Sequence, residues 1–224
     1  MATVIAIMDR DAWDANTDVL VVADAERQSL TWVPRDLWCP PIGHRINKAF
    51  ARGGFPLLLS CLRDLGFSAS GGICLRRSAV ARALNGISVT VPVEEPLRLW
   101  YPLEPEADLS DGRKPVDFDP PSERLEGERI HQWIGARRSR LGPSSDLHRI
   151  ARQQVFLQAL LEQRFPFWRA IEDPHAVRFT GQQALTEAAS VREGWSFRTM
   201  DDVLPAEIEG MNVLVRRIDD VPAR

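Results

Sequence analysis

The first residues in this 224-residue chain whose types and spacing could do chemistry are two aspartates and an arginine set at the ends of apolar runs. Asp9 follows the run 3–8, Asp18 opens DVLVVA, and Arg35 follows Pro34 after a third run. Paired carboxylates suit magnesium, which takes one or two of them and fills its shell with phosphate oxygens and water. A guanidinium is a planar fork of donors that fits phosphate oxygens. Farther along, Arg137, Arg138, Arg140, Arg149 and Arg152 put five such groups within 16 residues around a helix start, where backbone N–H groups also favour an anion. A divalent cation and a phosphorylated ligand fit this set. The competing reading is structural: aspartates as strand-end caps, Arg35 paired with Asp36, and the basic run as a solvated face.

The elements that must position these groups alternate in type. Residues 3–8 and 18–23 read as buried strands, 24–27 as a turn, and 29–33 as the hairpin partner that Pro34 stops. If the first two strands are antiparallel neighbours, Asp9, Asp18 and Arg35 cluster at one edge of the sheet. Gly53, Gly54 and Pro56 open an apolar helix over 57–65 that Gly66 closes, and 71–92 reads strand, helix, Asn-Gly turn, strand. Residues 92–123 are rich in Pro, Asp and Glu and read as a long surface excursion with one short strand near 97–101.

A helix is expected over 126–136, and another, capped by Ser145, from there to about residue 165. On the second, Arg149, Arg152 and Gln153 share a face. Leu147, Ile150, Leu157 and Leu161 form its core stripe, leaving the polar face open to a ligand or to water. Thr180 with Gln183 reads as a capping box and Gly194 as a stop, followed by a last strand over 212–215.

At 44% hydrophobic, with no break in composition, the chain is expected to be one α/β domain over 1–224. A net charge of -3 gives no overall basic field, which disfavours a nucleic-acid partner. Of the 28 basic residues only Lys48 and Lys114 are lysine, so the positions of arginines, rather than their number, carry information. Cys39, Cys61 and Cys74 lack zinc or disulfide spacing and read as core residues, and the four histidines lack ligand spacing. Walker-type, GxGxxG, GxSxG and HExxH signatures are absent. No apolar run reaches about 18 residues and no basic-then-apolar leader opens the chain, so neither a membrane span nor a signal peptide is expected.

Read in order, the segments TDVLVVADAERQSLTWVPRD, RINKAFARGG and ALNGISVTVP, then RLEGERIHQWIGARRSR and SDLHRIARQQ, resemble the LytR-CpsA-Psr family from about residue 4 to 165. The family carries a strand pair ending in Pro-Arg-Asp, a Lys-Ile-Asn and Gly-Gly segment, an ALGGVxVxVP strand, and LxGeqALxyvRxR and sDfgRixRQq helices. The last match is the most specific.

The resemblance implies a central mixed sheet flanked by helices, with an apolar interior that accepts a polyprenyl tail. It implies magnesium, or manganese in its place, on Asp9 and Asp18. Arg35, Asp36, Arg137 and Arg149 are the implied catalytic groups, and Arg45, Arg138, Arg140, Arg152 and Gln153 the implied substrate contacts. The activity implied is transfer of a glycan phosphate from a polyprenyl-pyrophosphate carrier to a sugar hydroxyl of a cell-wall or envelope polymer, at a membrane surface. The chain departs from the pattern at Asn16-Thr17-Asp18, where the family has Arg-Ser-Asp, and at Gly135 or Ala136, where it has the first arginine of Arg-x-Arg. The link from Asp9 to Asp18 is short, Arg10 is displaced from the family's early arginine, and no run of the length expected for the usual membrane anchor is read in these 224 residues. A polyprenyl-pyrophosphate hydrolase and a non-catalytic lipid-pyrophosphate binder stay open beside the transferase. The expected location is the extracytoplasmic envelope for a trimmed domain, or the cytoplasm for a complete chain.

Overall fold

The computed structural model describes residues 2–104, 110–136, 138–142, 146–192, 194–200 and 202–217. In chain order the first elements are β1 (Ala2–Met8), β2 (Thr17–Asp24), β3 (Ser29–Trp32), β4 (Trp38–Cys39), β5 (His44–Arg45), α1 (Ala49–Asp64), β6 (Ala69–Leu75) and α2 (Arg77–Ala83). There follow β7 (Ser88–Pro92), β8 (Leu97–Pro102), β9 (Arg113–Phe118), β10 (Ser122–Glu126), α3 (Glu128–Gly135), β11 (Arg138–Ser139) and α4 (Asp146–Glu162). The chain ends with β12 (Val177–Thr180), α5 (Ala184–Ala189), β13 (Ser196–Thr199), β14 (Val203–Ile208) and β15 (Met211–Arg216). The fold is mixed α/β with a central mixed sheet and flanking helices. Its internal contacts define two compact units, Met1–Ala79 with Ile171–Arg224, and Val80–Ala170.

The first unit is built on a six-stranded sheet in the order β12-β6-β1-β2-β3-β13. β1 pairs antiparallel with β2 and parallel with β6, so both parallel and antiparallel ladders occur in one sheet. Alternation along β1 sorts its side chains. Val4, Ala6 and Met8 enter a core with Leu58, Cys61 and Leu62 of α1, and Thr3 on the other face donates to the Glu187 carboxylate of α5. α1 begins earlier than the apolar run implies, at Ala49, and is broken where Gly54 takes φ 60 and ψ -153, a conformation open to glycine. Phe55, just past the break, lies against β6 at a position where only a glycine fits.

The second unit gathers the β10-β7 pair, the β11-β8-β9 sheet, α3 and α4 around Phe118, Leu125, Trp133, Phe156 and Leu160. Within 92–123 the expected short strand near 97–101 is β8, and the described residues add β9 and the start of β10 where the composition predicts loop. β9 pairs with β8, and β10 pairs with β7. Their periodicity was hidden because β9 buries only Val116 and Phe118 between charged residues and a proline, and β10 buries only Leu125. The Thr180–Gln183 capping box does not form: Thr180 is paired with Gly72 in the sheet, and α5 starts at Ala184 without a side-chain cap. β13 and β14 were also unforeseen, and β14 pairs with β15 through a turn in which Glu209 and Gly210 both have positive φ. Gly194 lies beyond the end of α5 rather than stopping it. Ser145 lies outside the described residues.

A Cβ at Gly72 would come within 2.6 Å of Phe55 Cε1 and 2.8 Å of Val4 Cγ1. Gly72→Val is therefore expected to lower the urea midpoint, by an amount corresponding to roughly 1–3 kcal/mol of overpacking. An unchanged midpoint would mean that Phe55 moves aside freely.

Candidate functional site

The first unit carries Asp9, Asp18, Arg35, Asp36 and Arg45, and register explains how four of them meet. β2 and β3 pair Val21 with Trp32, and the Val33 N–H donates to the Leu20 carbonyl at 2.9 Å. Two residues further, the same antiparallel count sets Asp18 opposite Arg35, and the Arg35 guanidinium pairs with the Asp18 carboxylate. A bulge contributes as well. Ile7 faces Val19 but Met8 faces Thr17, which leaves Asp18 as the extra residue of β2 and re-aims it.

The pair continues as a ladder of alternating charge. Arg35 Nε lies 3.9 Å from Asp36 Oδ1, and Arg45 Nη1 lies 3.3 Å from the same oxygen. Arg45 also donates to the Asn212 carbonyl at 2.7 Å. The backbone beneath is pinned by its neighbours. The Arg35 carbonyl accepts from Asn47 N–H at 3.3 Å and the Asp36 carbonyl from Leu214 N–H at 3.0 Å. Arg35 itself is buried, a position in which a guanidinium is held by geometry and cannot swing away.

Asp9 stands at the same end of the sheet, its N–H donating to the Asn16 carbonyl at 2.8 Å. Asn16 Nδ2 reaches Asp9 Oδ2 at 3.4 Å, while Asp9 Oδ1 is buried with no hydrogen-bond donor. A buried carboxylate oxygen without a donor costs free energy unless something positive approaches it, and here Arg10 Nε stands 3.9 Å away, beyond hydrogen-bond distance. The observation fits a cation held by Asp9 and Asp18, with ligand phosphates and water supplying the remaining oxygens. No cluster of three or more potential metal-ligating side chains occurs among the described residues. Asn16 was not among the expected residues, and its amide two positions before Asp18 was the available signal.

The second unit carries Arg138, Arg140, Arg149, Arg152 and Gln153, while Arg137 lies outside the described residues. The face of α4 expected to be open is its buried face. Arg152 Nε donates to the Trp133 carbonyl at 2.9 Å and a second nitrogen donates to the Ala136 carbonyl, while Gln153 Nε2 donates to the Ile134 carbonyl at 3.1 Å. Trp133 Nε1 returns a bond to the Arg152 carbonyl at 2.9 Å. Helix ends leave carbonyls without intrahelical partners, and these two side chains satisfy those at the end of α3. Burial, reinforced by the nearby Arg149 charge, pulls the Arg152 pKa down to about 10.

Arg149 is 1% exposed, with Nη2 2.6 Å from Asp146 Oδ1 one turn earlier. The core stripe of α4 therefore runs through Arg149, Ile150, Gln153, Phe156 and Leu160, and Leu147 and Leu157 lie only half-buried beside it. Arg140 pairs with Asp117 and sits 5.8 Å from the Trp100 ring centre, whereas Arg138 is exposed opposite Trp100. Of the three cysteines, Cys74 is buried beside Met8, its sulfurs 3.3 Å apart, and burial raises its pKa to about 12. This agrees with a packing role.

Solved structures share this fold. B. subtilis TagT matches at 16% identity with a TM-score of 0.63, covering 96% of this chain and 84% of that one. TagT bound to LI-WTA matches at 17% and 0.66, covering 96% and 84%, and B. subtilis TagV at 15% and 0.62, covering 96% and 90%. No curated protein matches significantly. The sequence model of the LytR_cpsA_psr family matches residues 3–167, and the chain belongs to that family. Its members are known as cell-wall glycopolymer transferases and are associated with the cell envelope. Among the described residues no helix is long and apolar enough to cross a membrane.

Arg152→Ala is expected to lower stability by roughly 2–4 kcal/mol, because stranding buried carbonyls costs about 1–3 kcal/mol each. Gln153→Ala should cost about 1 kcal/mol. Chemical denaturation measures both, and a loss below a few tenths would show that water replaces these donors.

Proposed function

We propose that this chain moves a glycan phosphate from a polyprenyl-pyrophosphate carrier to a sugar hydroxyl of a cell-wall or envelope polymer. The observation that carries the reading is the ladder Asp18, Arg35, Asp36, Arg45 at the sheet end, beside the donorless oxygen of Asp9. Family membership supplies the reaction class, and TagT bound to LI-WTA and to LIIa-WTA supports a glycopolymer-linked lipid as donor.

The chemistry follows from charge. A pyrophosphate diester repels an approaching oxygen until its own oxygens are neutralised, and transfer adds charge to the atoms that leave. Arg35 and Arg45 are held by carboxylates and backbone, so they meet those oxygens without losing further rotamer freedom. Asp9 and Asp18 would hold magnesium or manganese, which when bound supplies further neutralisation of the phosphate oxygens. Asp36 lies between the two arginines, and either it or Asp9 would take the proton of an acceptor hydroxyl; loose phosphoryl transfer depends on such a base less than on positioning. An apolar pocket for the polyprenyl tail belongs to this proposal, as does a single catalytic domain spanning residues 1–224.

Arg35→Ala in a folded protein is expected to reduce transfer by at least roughly a hundredfold, the scale seen when one charge-stabilising donor is removed. Chelation of divalent cations should abolish turnover, and magnesium or manganese should restore it. Product analysis with and without an acceptor polymer distinguishes transfer from hydrolysis. Wild-type turnover by Arg35→Ala would remove this ladder from the reaction.

A further inference from the structure

Resting on that reading, we infer that Arg76, a residue outside the expected set, is a further phosphate-binding group of the same site. β1 and β6 are parallel with Ile7 opposite Leu75, so one step on Met8 stands opposite Arg76. Across the same end, Met8 pairs with Thr17 beside the bulged Asp18, and Asp18 pairs with Arg35. Arg76, Met8, Asp18 and Arg35 thus form a row over the ends of four neighbouring strands. With strands roughly 4.8 Å apart, Arg35 and Arg76 flank the acidic residues from opposite sides, about 14 Å apart at the backbone.

Arg76 is also held in place. Its guanidinium lies 5.4 Å from the Trp13 ring centre, and Arg178 lies 4.3 Å from the same ring. Trp13 in turn packs on Phe50 of α1, at 6.4 Å between ring centres. Arg76 Nε lies 3.7 Å from Asp11 Oδ1 and is buried without a hydrogen-bond acceptor, so a donor remains to be satisfied. Two guanidinium groups share one indole here, and Asp11 is the carboxylate that approaches Arg76. A guanidinium with an unsatisfied donor, at the carboxyl ends of the parallel strands β1 and β6, suits a phosphate oxygen.

The test is titration of the full chain with inorganic pyrophosphate and magnesium, together with donor kinetics. Arg76→Gln should weaken pyrophosphate binding and raise KM for the lipid donor by roughly tenfold to a hundredfold, the range of a lost charged hydrogen bond, with kcat changed less. Asp11→Asn keeps the carbonyl that accepts from Ser78 N–H and releases Arg76 from its carboxylate, so it should tighten binding severalfold. Should Arg76→Gln fail to fold, Asp11→Asn decides alone, and unchanged affinity there overturns the inference. Wild-type affinity and KM in folded Arg76→Gln, with binding lost in Arg35→Ala, overturns the role of Arg76 and leaves the proposed function standing. Failure of the unmodified protein to bind pyrophosphate overturns both.

Discussion

The ion pair between Asp18 and Arg35 is the interaction on which the charged sheet end depends. It is a consequence of strand register: once Val21 faces Trp32, the chain has no freedom left about which residue meets Asp18. A one-residue slip in an antiparallel pair would send every side chain to the opposite face, so the apolar alternation that fixes the core also fixes the charge pair. The bulge at Asp18 breaks the alternation at one point and re-aims a carboxylate without disturbing the strand beyond it.

Much of this was readable in advance. Short apolar runs ended by Asp9, by Pro34 and by the turn at Asp24 gave β1 to β3, and their antiparallel order brought Asp18 to Arg35. What escaped was what depends on partners distant in sequence. β9 and β10 carry too few buried side chains to show a period, and they are strands because β8 and β7 supply the other half of each ladder. The α4 face failed in the opposite sense. The polar types of Arg149, Arg152 and Gln153 predict an outward face, yet the bare carbonyls at the end of α3 make burial of Arg152 and Gln153 favourable, and Asp146 accompanies Arg149 inward.

The two units therefore use arginine differently. In the first, Arg35 and Arg45 are balanced by the carboxylates of Asp18 and Asp36. In the second, Arg152 is a structural fastener between helices, and its pKa, although lowered, leaves it charged at neutral pH. Counting arginines would have merged these roles, whereas acceptor identity separates them.

The hairpin of β14 and β15 has a bearing on the order in which the molecule matures. Asn212 receives a donor from Arg45, Leu214 donates to Asp36, and Leu37 bridges to Leu214, so groups before residue 50 await strands after residue 200. Contacts of such sequence separation close late, because loop-closure entropy must be overcome first. The nascent chain can lay down β1 to β3 while still on the ribosome, but its acidic and basic ladder has no finished scaffold until the final hairpin emerges. Premature termination upstream of that hairpin would leave β1 to β3 paired but Asp36 and Arg45 without the backbone that braces them.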